Sequence, residues 1–247
     1  MERLEYERLA QAEERMWWFR GLHANLIASL AHGVLPSEPP AILDAGCGTG
    51  GLLARLARAF PDALLVGLDL DRGAAATARE KSGQRIGVGS VDRLPFAAHT
   101  FDAIVSADVL CHRGVDEAGA LAEFSRCLRP RGIVVLNLPA YRWLHSAHDR
   151  AVDNVRRYGR REVAGMLSAA GFGAVRAGYW NTFLFPLMVL RRKLGPRSLS
   201  GSASDVAILP APLERIFAAL LALETRVREA GVGFPFGGSI LAVARKQ

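Results

Sequence analysis

The chain has 247 residues, half of them hydrophobic, with a formal charge of +7 and a pI near 9.9. That balance excludes a disordered chain and leaves room for one α/β domain with an insertion or small lobe. The three cysteines, Cys47, Cys111 and Cys127, form no CxxC pair, which excludes a disulfide framework and a zinc ribbon. In chain order, residues 2–31 read as helical, with Leu4, Leu9, Ala12, Met16, Phe19 and Leu26 at helical spacing. Pro36, Pro39 and Pro40 then mark a linker. An alternation follows: strand AILDAG, helix GLLARLARAF, strand ALLVGLD, helix RGAAATAREK, short strand RIGVG, strand FDAIVSAD, helix DEAGALAEFSRCL, strand GIVVLNLP, helix REVAGMLSAAG, strand FGAVRAGYW. Residues 181–236 interrupt it with the apolar run FLFPLMVL, a Gly/Ser/Pro-rich loop at 195–210 and an amphipathic helix near 213–229. GSILAVARK closes the chain as a strand. Strands alternating with helices of about three turns mean βαβ units and a parallel sheet, hence an α/β fold.

The stretch ILDAGCGTGG, residues 42–51, joins the first strand of the alternation to a helix, where glycines let a ligand approach the backbone. Its spacing has two readings. Gly46, Gly48 and Gly51 satisfy GxGxxG, the pattern of a nicotinamide or flavin dinucleotide site. Gly46, Gly48 and Gly50 satisfy GxGxG, with Asp44 two residues ahead. A carboxylate at the rim of a pyrophosphate site would repel the ligand, whereas it suits a cationic one such as S-adenosylmethionine. Asp69 ends the second strand, where an acid can bond two ribose hydroxyls, and Leu70 beside it can pack on adenine.

Taken together, LDAGCGTG, GLDLD, SVDRLPFAAHTFDAIVSADVL and LRPRGIVVLNLP resemble the class I S-adenosylmethionine-dependent methyltransferases over residues 41–178 and again at the last strand. The resemblance implies a Rossmann-like, seven-stranded, mostly parallel sheet with an antiparallel last strand and helices on both faces. It implies that Asp44, Gly46, Gly48 and Gly50 surround the methionine moiety and that Asp69 holds the ribose. Ser90 and Val91 stand where the family has an Asp and a small residue beside adenine; a Ser hydroxyl still offers a hydrogen bond there. Ala107 falls where backbone groups meet the methionine end. Ala107-Asp108-Val109-Leu110 replaces the Asn-Pro-Pro-Tyr type motif of base N-methyltransferases, which weighs against nucleic acid as acceptor. Arg131-Gly132 replaces a Gly-Gly turn, without chemical consequence.

Methyl transfer from a sulfonium is an in-line displacement, so the protein mainly aligns the acceptor and excludes water; a base is needed only where the acceptor must lose a proton. His112, just after the fourth strand, is a candidate base. The segment PAYRWLHSAHDRAVDNVRRYGRRE adds His145 and Asp149 as further catalytic candidates. It also supplies Tyr141, Trp143, Arg157 and Tyr158 as a lid over the acceptor, with arginines able to grip a phosphate or carboxylate. The His and Asp spacing there lacks a sharp ligand signature, so no metal is expected. In MWWFRG, Trp18 is a candidate cover for the cofactor and Trp17 a candidate wall of the acceptor pocket. Phe183 opens the apolar segment that ends in Arg191, Arg192 and Lys193. That segment fits a pocket wall, a homodimer contact or an anionic membrane surface.

The expectation is therefore a methyltransferase with S-adenosyl-L-methionine as cofactor, acting on a hydroxyl or other heteroatom of a small molecule. A lipid-linked or glycan acceptor at the membrane surface and a non-catalytic cofactor-binding role are the alternatives. Residues 1–247 read as one domain: 1–35 an N-terminal helical cap, 41–180 and 237–247 the core, 181–236 an insertion. The charged opening MERLEYERLAQAEERMWW has no apolar stretch, so a cytoplasmic setting is expected. FLFPLMVL is far shorter than the roughly 20 residues of a spanning helix. No Lys/Arg stripe interleaved with aromatics supports RNA.

Overall fold

The computed structural model describes Glu13 and residues 15–33, 35–194 and 209–247. Leu4, Leu9 and Ala12 of the expected first helix, and most of the loop expected at 195–210, lie outside the described residues. The elements run α1 (Trp17–Ala31), β1 (Ala41–Ala45), α2 (Gly51–Ala59), β2 (Leu64–Asp69), α3 (Arg72–Ser82), β3 (Arg85–Val88), β4 (Phe101–Ala107), α4 (Glu117–Cys127) and β5 (Leu128–Pro139). After β5 come a short turn of 3-10 helix, α5 (Ala147–Ala151), α6 (Arg160–Ala169), β6 (Phe172–Trp180), α7 (Phe185–Leu194), α8 (Ala211–Glu229) and β7 (Ser239–Lys246).

The sheet has seven strands in the order β3-β2-β1-β4-β5-β7-β6. The pairs from β3 through β5 are parallel, and β7 is antiparallel to both β5 and β6. This is the Rossmann-like arrangement anticipated from the sequence, with the last strand reversed. Strands β1 and β4 are almost wholly buried, as a sheet covered on both faces requires. One core layer packs Leu43, Ile104, Phe124, Val134 and Leu167; the other packs Leu26, Ile42, Leu53, Leu56 and Trp180. The proline linker is anchored by Asp102, fully buried, which accepts hydrogen bonds from Ser37 Oγ at 2.8 Å, Ala41 N at 2.8 Å and Arg129 Nη1 at 2.6 Å.

The expected helix over 2–31 is interrupted at Met16, whose backbone is extended (φ −69°, ψ 130°). The Trp17 N–H donates 2.7 Å to Glu214 Oε2 of α8, so the first turn of α1 takes its partner from across the fold. Helices α1 and α8 are joined further by Asn25 Oδ1, which accepts from Thr225 Oγ1 at 3.2 Å and from Arg228 Nη2 at 2.9 Å. Glu224 of α8 accepts 2.8 Å from Thr182 N, fixing the chain where it leaves β6. Residues 185–190 of the apolar run fold into α7, and among the described residues no helix is long and apolar enough to cross a membrane.

Candidate active site

The glycine loop lies where β1 ends and α2 begins, at the carboxyl end of the parallel strands, where open α/β sheets bind ligands. Gly46 has φ +84°, and a Cβ there would overlap Val109; Gly50 has φ +83°, and its Cβ would sit 2.7 Å from Ala78 Cα. Both positions demand glycine.

The loop's N–H groups are largely spent within the protein. Gly46 N and Cys47 N both donate to Leu68 O, at 2.8 and 2.9 Å, and Gly50 N donates to Cys47 O at 3.0 Å. Gly48 N donates 2.8 Å to Asp69 Oδ2. Gly51 N donates 3.1 Å to Glu13 Oε2, which also accepts from Thr49 Oγ1 at 2.5 Å and pairs with Lys81 Nζ at 3.1 Å. A dinucleotide site needs free N–H groups at the helix start for its pyrophosphate. Here a carboxylate already caps that helix.

Asp44, at the end of β1, is buried, and its Oδ2 has no hydrogen-bond partner. Burial pushes its pKa up to about 8, helped by the charges of Glu13 and Asp69. Burial also raises the pKa of Asp69, against the hydrogen bonds it accepts from Asp71 N and Gly48 N. Three carboxylates around a loop with few free donors favour a cation and oppose a phosphate. These residues fit S-adenosylmethionine. Asp44 would meet its ammonium and Asp69 its ribose, while Leu70, 71% exposed, offers an apolar face beside them. Ser90 and Val91 follow β3; the Ser90 hydroxyl bonds to Asp92, and Val91 is buried in the core, so the backbone is what Val91 offers a ligand. Ala107, half-buried, ends β4.

Next to Ala107 stands Asp108, which sequence reasoning passed over as part of a departure from a motif. Its backbone is left-handed (φ 55°), and its N–H donates 2.9 Å to Asn137 O on β5. Asn137 Nδ2 donates to both of its carboxylate oxygens, at 3.1 and 3.0 Å, and Asn137 Oδ1 accepts 2.7 Å from Trp180 Nε1. Burial pushes the pKa of Asp108 up to about 7, opposed by the Asn137 hydrogen bond and the Arg157 charge. The signal available in the sequence was an acid one residue past a core strand; its left-handed conformation, which Asp tolerates better than most residues, is seen only in the fold.

The structure sorts the other candidates. His112 is half-buried; burial lowers its pKa, opposed by the charge of Asp153 and by hydrogen bonds to the Asp153 and Val152 backbone, so the ring is neutral. His145 is exposed, and its Nε2 donates 3.0 Å to Asn154 O. Asp149 is corrected from catalytic group to anchor. It is fully buried and accepts from Ser146 N, Ser146 Oγ, Arg157 Nε and Arg157 Nη2 at 2.7–2.9 Å. Burial pushes its pKa up, but the Arg157 hydrogen bonds and charge outweigh this and hold it below the usual carboxylate range. Arg157 and Tyr158, expected as acceptor contacts, make their hydrogen bonds within the protein. Besides Asp149, Arg157 donates from Nη1 to Ala140 O at 2.9 Å. Tyr158, 2% exposed, turns its hydroxyl to Glu117 Oε1 at 2.6 Å and Leu110 O at 3.0 Å. Both line a cleft of about 380 Å³, with their polar ends turned into protein.

Trp17 packs edge-on against Phe217, and Trp18 stacks on Trp180 at 6.3 Å, so Trp18 stands behind the Trp180–Asn137–Asp108 chain. Tyr141 (φ 61°) stacks on Tyr179 at 5.2 Å and lies near Trp143 and Phe185. Burial and its hydrogen bond with Tyr179 push its phenol up to about 12. Phe183 is exposed and meets Phe234 edge-on. Among the described residues, no three His, Cys, Asp or Glu side chains gather in a way that could hold a metal ion.

Residues 43–136 match the family model described as a methyltransferase domain. The chain is 30% identical over 187 residues to the malonyl-[acyl-carrier protein] O-methyltransferase of Geobacter sulfurreducens, covering 69% of this chain and 67% of that protein. It is 32% identical over 171 residues to the protein of the same name from Herminiimonas arsenicoxydans, covering 66% of this chain and 64% of that one, so the match spans about two thirds of these relatives' length. Among solved structures, an S-adenosylmethionine-dependent methyltransferase from Thermotoga maritima superposes with a TM-score of 0.62 at 17% identity, covering 98% of this chain and 95% of that one.

Proposed function

The chain belongs to the class I S-adenosylmethionine-dependent methyltransferases, and we propose that it methylates an oxygen of a small acceptor with apolar character, with Asp108 taking the proton. The observation that carries this reading is the Asp108 carboxyl. It lies at the end of β4, one residue past Ala107, and burial brings its pKa to about 7. A carboxylate that is half ionised near neutrality is matched to removing a hydroxyl proton, whereas an acceptor with no proton to lose, such as an ionised carboxylate, needs no such group.

When bound, S-adenosylmethionine supplies an activated methyl group on a sulfonium. Asp44 holds its ammonium, Asp69 its ribose hydroxyls, and the backbone at Ser90, Val91 and Ala107 its remaining edges. Asn137 orients Asp108, and the Trp180 indole fixes Asn137 in turn. The acceptor lies against Tyr141, Trp143 and Phe183, whose rings supply apolar contact, while the Tyr141 phenol stays protonated and acts as a donor. Residues 1–35 and 181–236 serve as a cap over the 41–180 and 237–247 core; the Trp17–Glu214 and Thr182–Glu224 hydrogen bonds support this division. The relatives named as O-methyltransferases are consistent with an oxygen acceptor.

The test is to supply methyl-labelled cofactor with panels of hydroxy and carboxylic acceptors, then to compare Asp108→Asn and His112→Gln on any acceptor that takes label. Label on a hydroxyl acceptor, lost on ether cleavage, with Asp108→Asn far slower than His112→Gln, supports the proposal. Label on carbon or nitrogen, label taken only by carboxylic acceptors, or an unimpaired Asp108→Asn rejects it.

A further inference from the structure

The segment α7 (Phe185–Leu194) carries an apolar surface that, apart from Trp143 at its edge, the catalytic reading does not use. Leu187 and Leu190 are 49% and 53% exposed on one side of α7. Trp143 at 53% and Phe236 at 40% continue the surface beyond the helix. Ring contacts tie these segments together: Phe185 meets Phe236 at 5.6 Å and Trp143 at 6.3 Å. Between them runs an open apolar groove of about 540 Å³. Exposed apolar surface gathered in one place, unlike single exposed leucines, marks a contact site.

The border of this surface is basic. Residues 181–193 and 230–247 contain no Asp or Glu, and α7 ends in Arg191, Arg192 and Lys193. Arg191 and Lys193 are exposed, and Lys193 Nζ lies 5.2 Å above the Trp143 ring. Arg192 instead turns inward, donating 3.0 Å to Leu144 O, and so pins the helix to the core. The surface thus has an apolar ridge, a tryptophan at its edge and cations around it. A second copy of the chain fits it poorly. An isologous contact would bring each Arg191 and Lys193 toward its own counterpart, with no acid in the patch to answer them. A bilayer with anionic headgroups answers both features: acyl chains accept the leucines and aromatics, and phosphates accept the cations.

We propose that α7, together with Trp143 and Phe236, docks the protein onto an anionic membrane surface. The helix lies in the headgroup plane without crossing it. Docking here places the carboxyl end of β5, which leads through Tyr141 into Trp143, beside the lipid. It is independent of which atom is methylated.

The experiment is co-sedimentation of the intact protein with phosphatidylcholine vesicles and with vesicles of phosphatidylcholine and phosphatidylglycerol, without acceptor. Leu187→Asp/Leu190→Asp and Lys193→Glu are the variants, each checked for an unchanged melting temperature and unchanged cofactor affinity. Binding to the anionic vesicles only, weakened roughly tenfold or more by the double variant and several-fold by Lys193→Glu or by high salt, supports the proposal. Absence of vesicle binding overturns it, and so does anionic binding that the double variant leaves intact. A concentration-dependent dimer broken by Leu187→Asp/Leu190→Asp, without vesicle binding, overturns it in favour of self-association. None of these outcomes bears on methyl transfer to a soluble acceptor, which the labelling assay tests separately.

Discussion

Replacing Arg157 by Met separates a structural role for this arginine from a part in gripping the acceptor. The Arg157 side chain is 5% exposed and that of Asp149 is fully buried, and they share two hydrogen bonds of 2.9 and 2.7 Å. Removing the arginine strands Asp149 in the interior. Ser146 still donates twice to it, but Arg192 Nη1 stands off at 3.8 Å. Breaking one side of a buried pair costs about 3–5 kcal/mol, and in a chain of this size each kcal/mol lowers the melting temperature by roughly 2–4 °C. The expected drop is therefore on the order of 10 °C, read by thermal denaturation of the cofactor-free protein. The double variant Arg157→Met/Asp149→Leu removes both charges and should recover most of it, because a buried ion pair replaced by apolar groups is often close to neutral. Calorimetric titration with S-adenosylmethionine at a temperature where both proteins are folded should give unchanged affinity. A single variant that melts like the parent, or a double variant no better than the single, would refute the anchor role.

Two further outcomes follow from the site. Gly46→Ala must hold a side chain at φ +84° and push Val109 aside, so it should cost about 1–3 kcal/mol in chemical denaturation and weaken cofactor binding; full stability with normal affinity would mean the loop relaxes freely. For Asp108, the carboxylate is the active form, so kcat should rise with pH through about 7 and then level, and Asp108→Asn should flatten that limb; a limb that survives the substitution belongs to another group.

Most of the fold was legible because strand and helix periods alternate cleanly: β6 begins and ends at the residues expected, and most other boundaries shift by one or two. Met16 was not legible. Its break depends on Glu214, nearly two hundred positions away, and no local pattern announces that partner. The lid illustrates the same limit in chemistry. Tyr141, Trp143, His145, Asp149, Arg157 and Tyr158 look alike in sequence as polar and aromatic residues near a strand end. Only the packing shows that Asp149 and Arg157 satisfy each other. Glu13 and Asp108 were missed for complementary reasons. Glu13 lies in a charged helix that reads as a solvated face, and Asp108 gains its character from burial and from Asn137, which the sheet brings alongside.

Asp44 carries the sharpest consequence of the fold for cofactor choice. Its pKa of about 8 lies far above the ordinary carboxylate value, so folding favours the protonated form. The associated stability is fully present below the unfolded value near pH 4 and is lost as pH rises through about 8. At pH 7 the group opposes folding of the cofactor-free protein by about 4 kcal/mol, taken at one pKa unit per 1.36 kcal/mol. Asp44→Asn keeps the shape and cannot ionise, so it should raise the melting temperature at pH 8 and do little near pH 4. The same substitution should weaken S-adenosylmethionine binding roughly tenfold or more, the worth of a hydrogen bond to a charged group. In the parent, pairing with the ligand's ammonium favours the ionised carboxylate, so binding below pH 8 must release a proton. Titration in buffers of different ionisation heat reads that release directly, and affinity should climb between pH 6 and 8. A dinucleotide offers no cation to repay the ionisation and would add phosphate charge beside Glu13, Asp44 and Asp69. Proton release with S-adenosylmethionine and no heat with NAD is the expected pair of results; NAD binding with Asp44 left protonated would show that the unpartnered oxygen serves a different ligand.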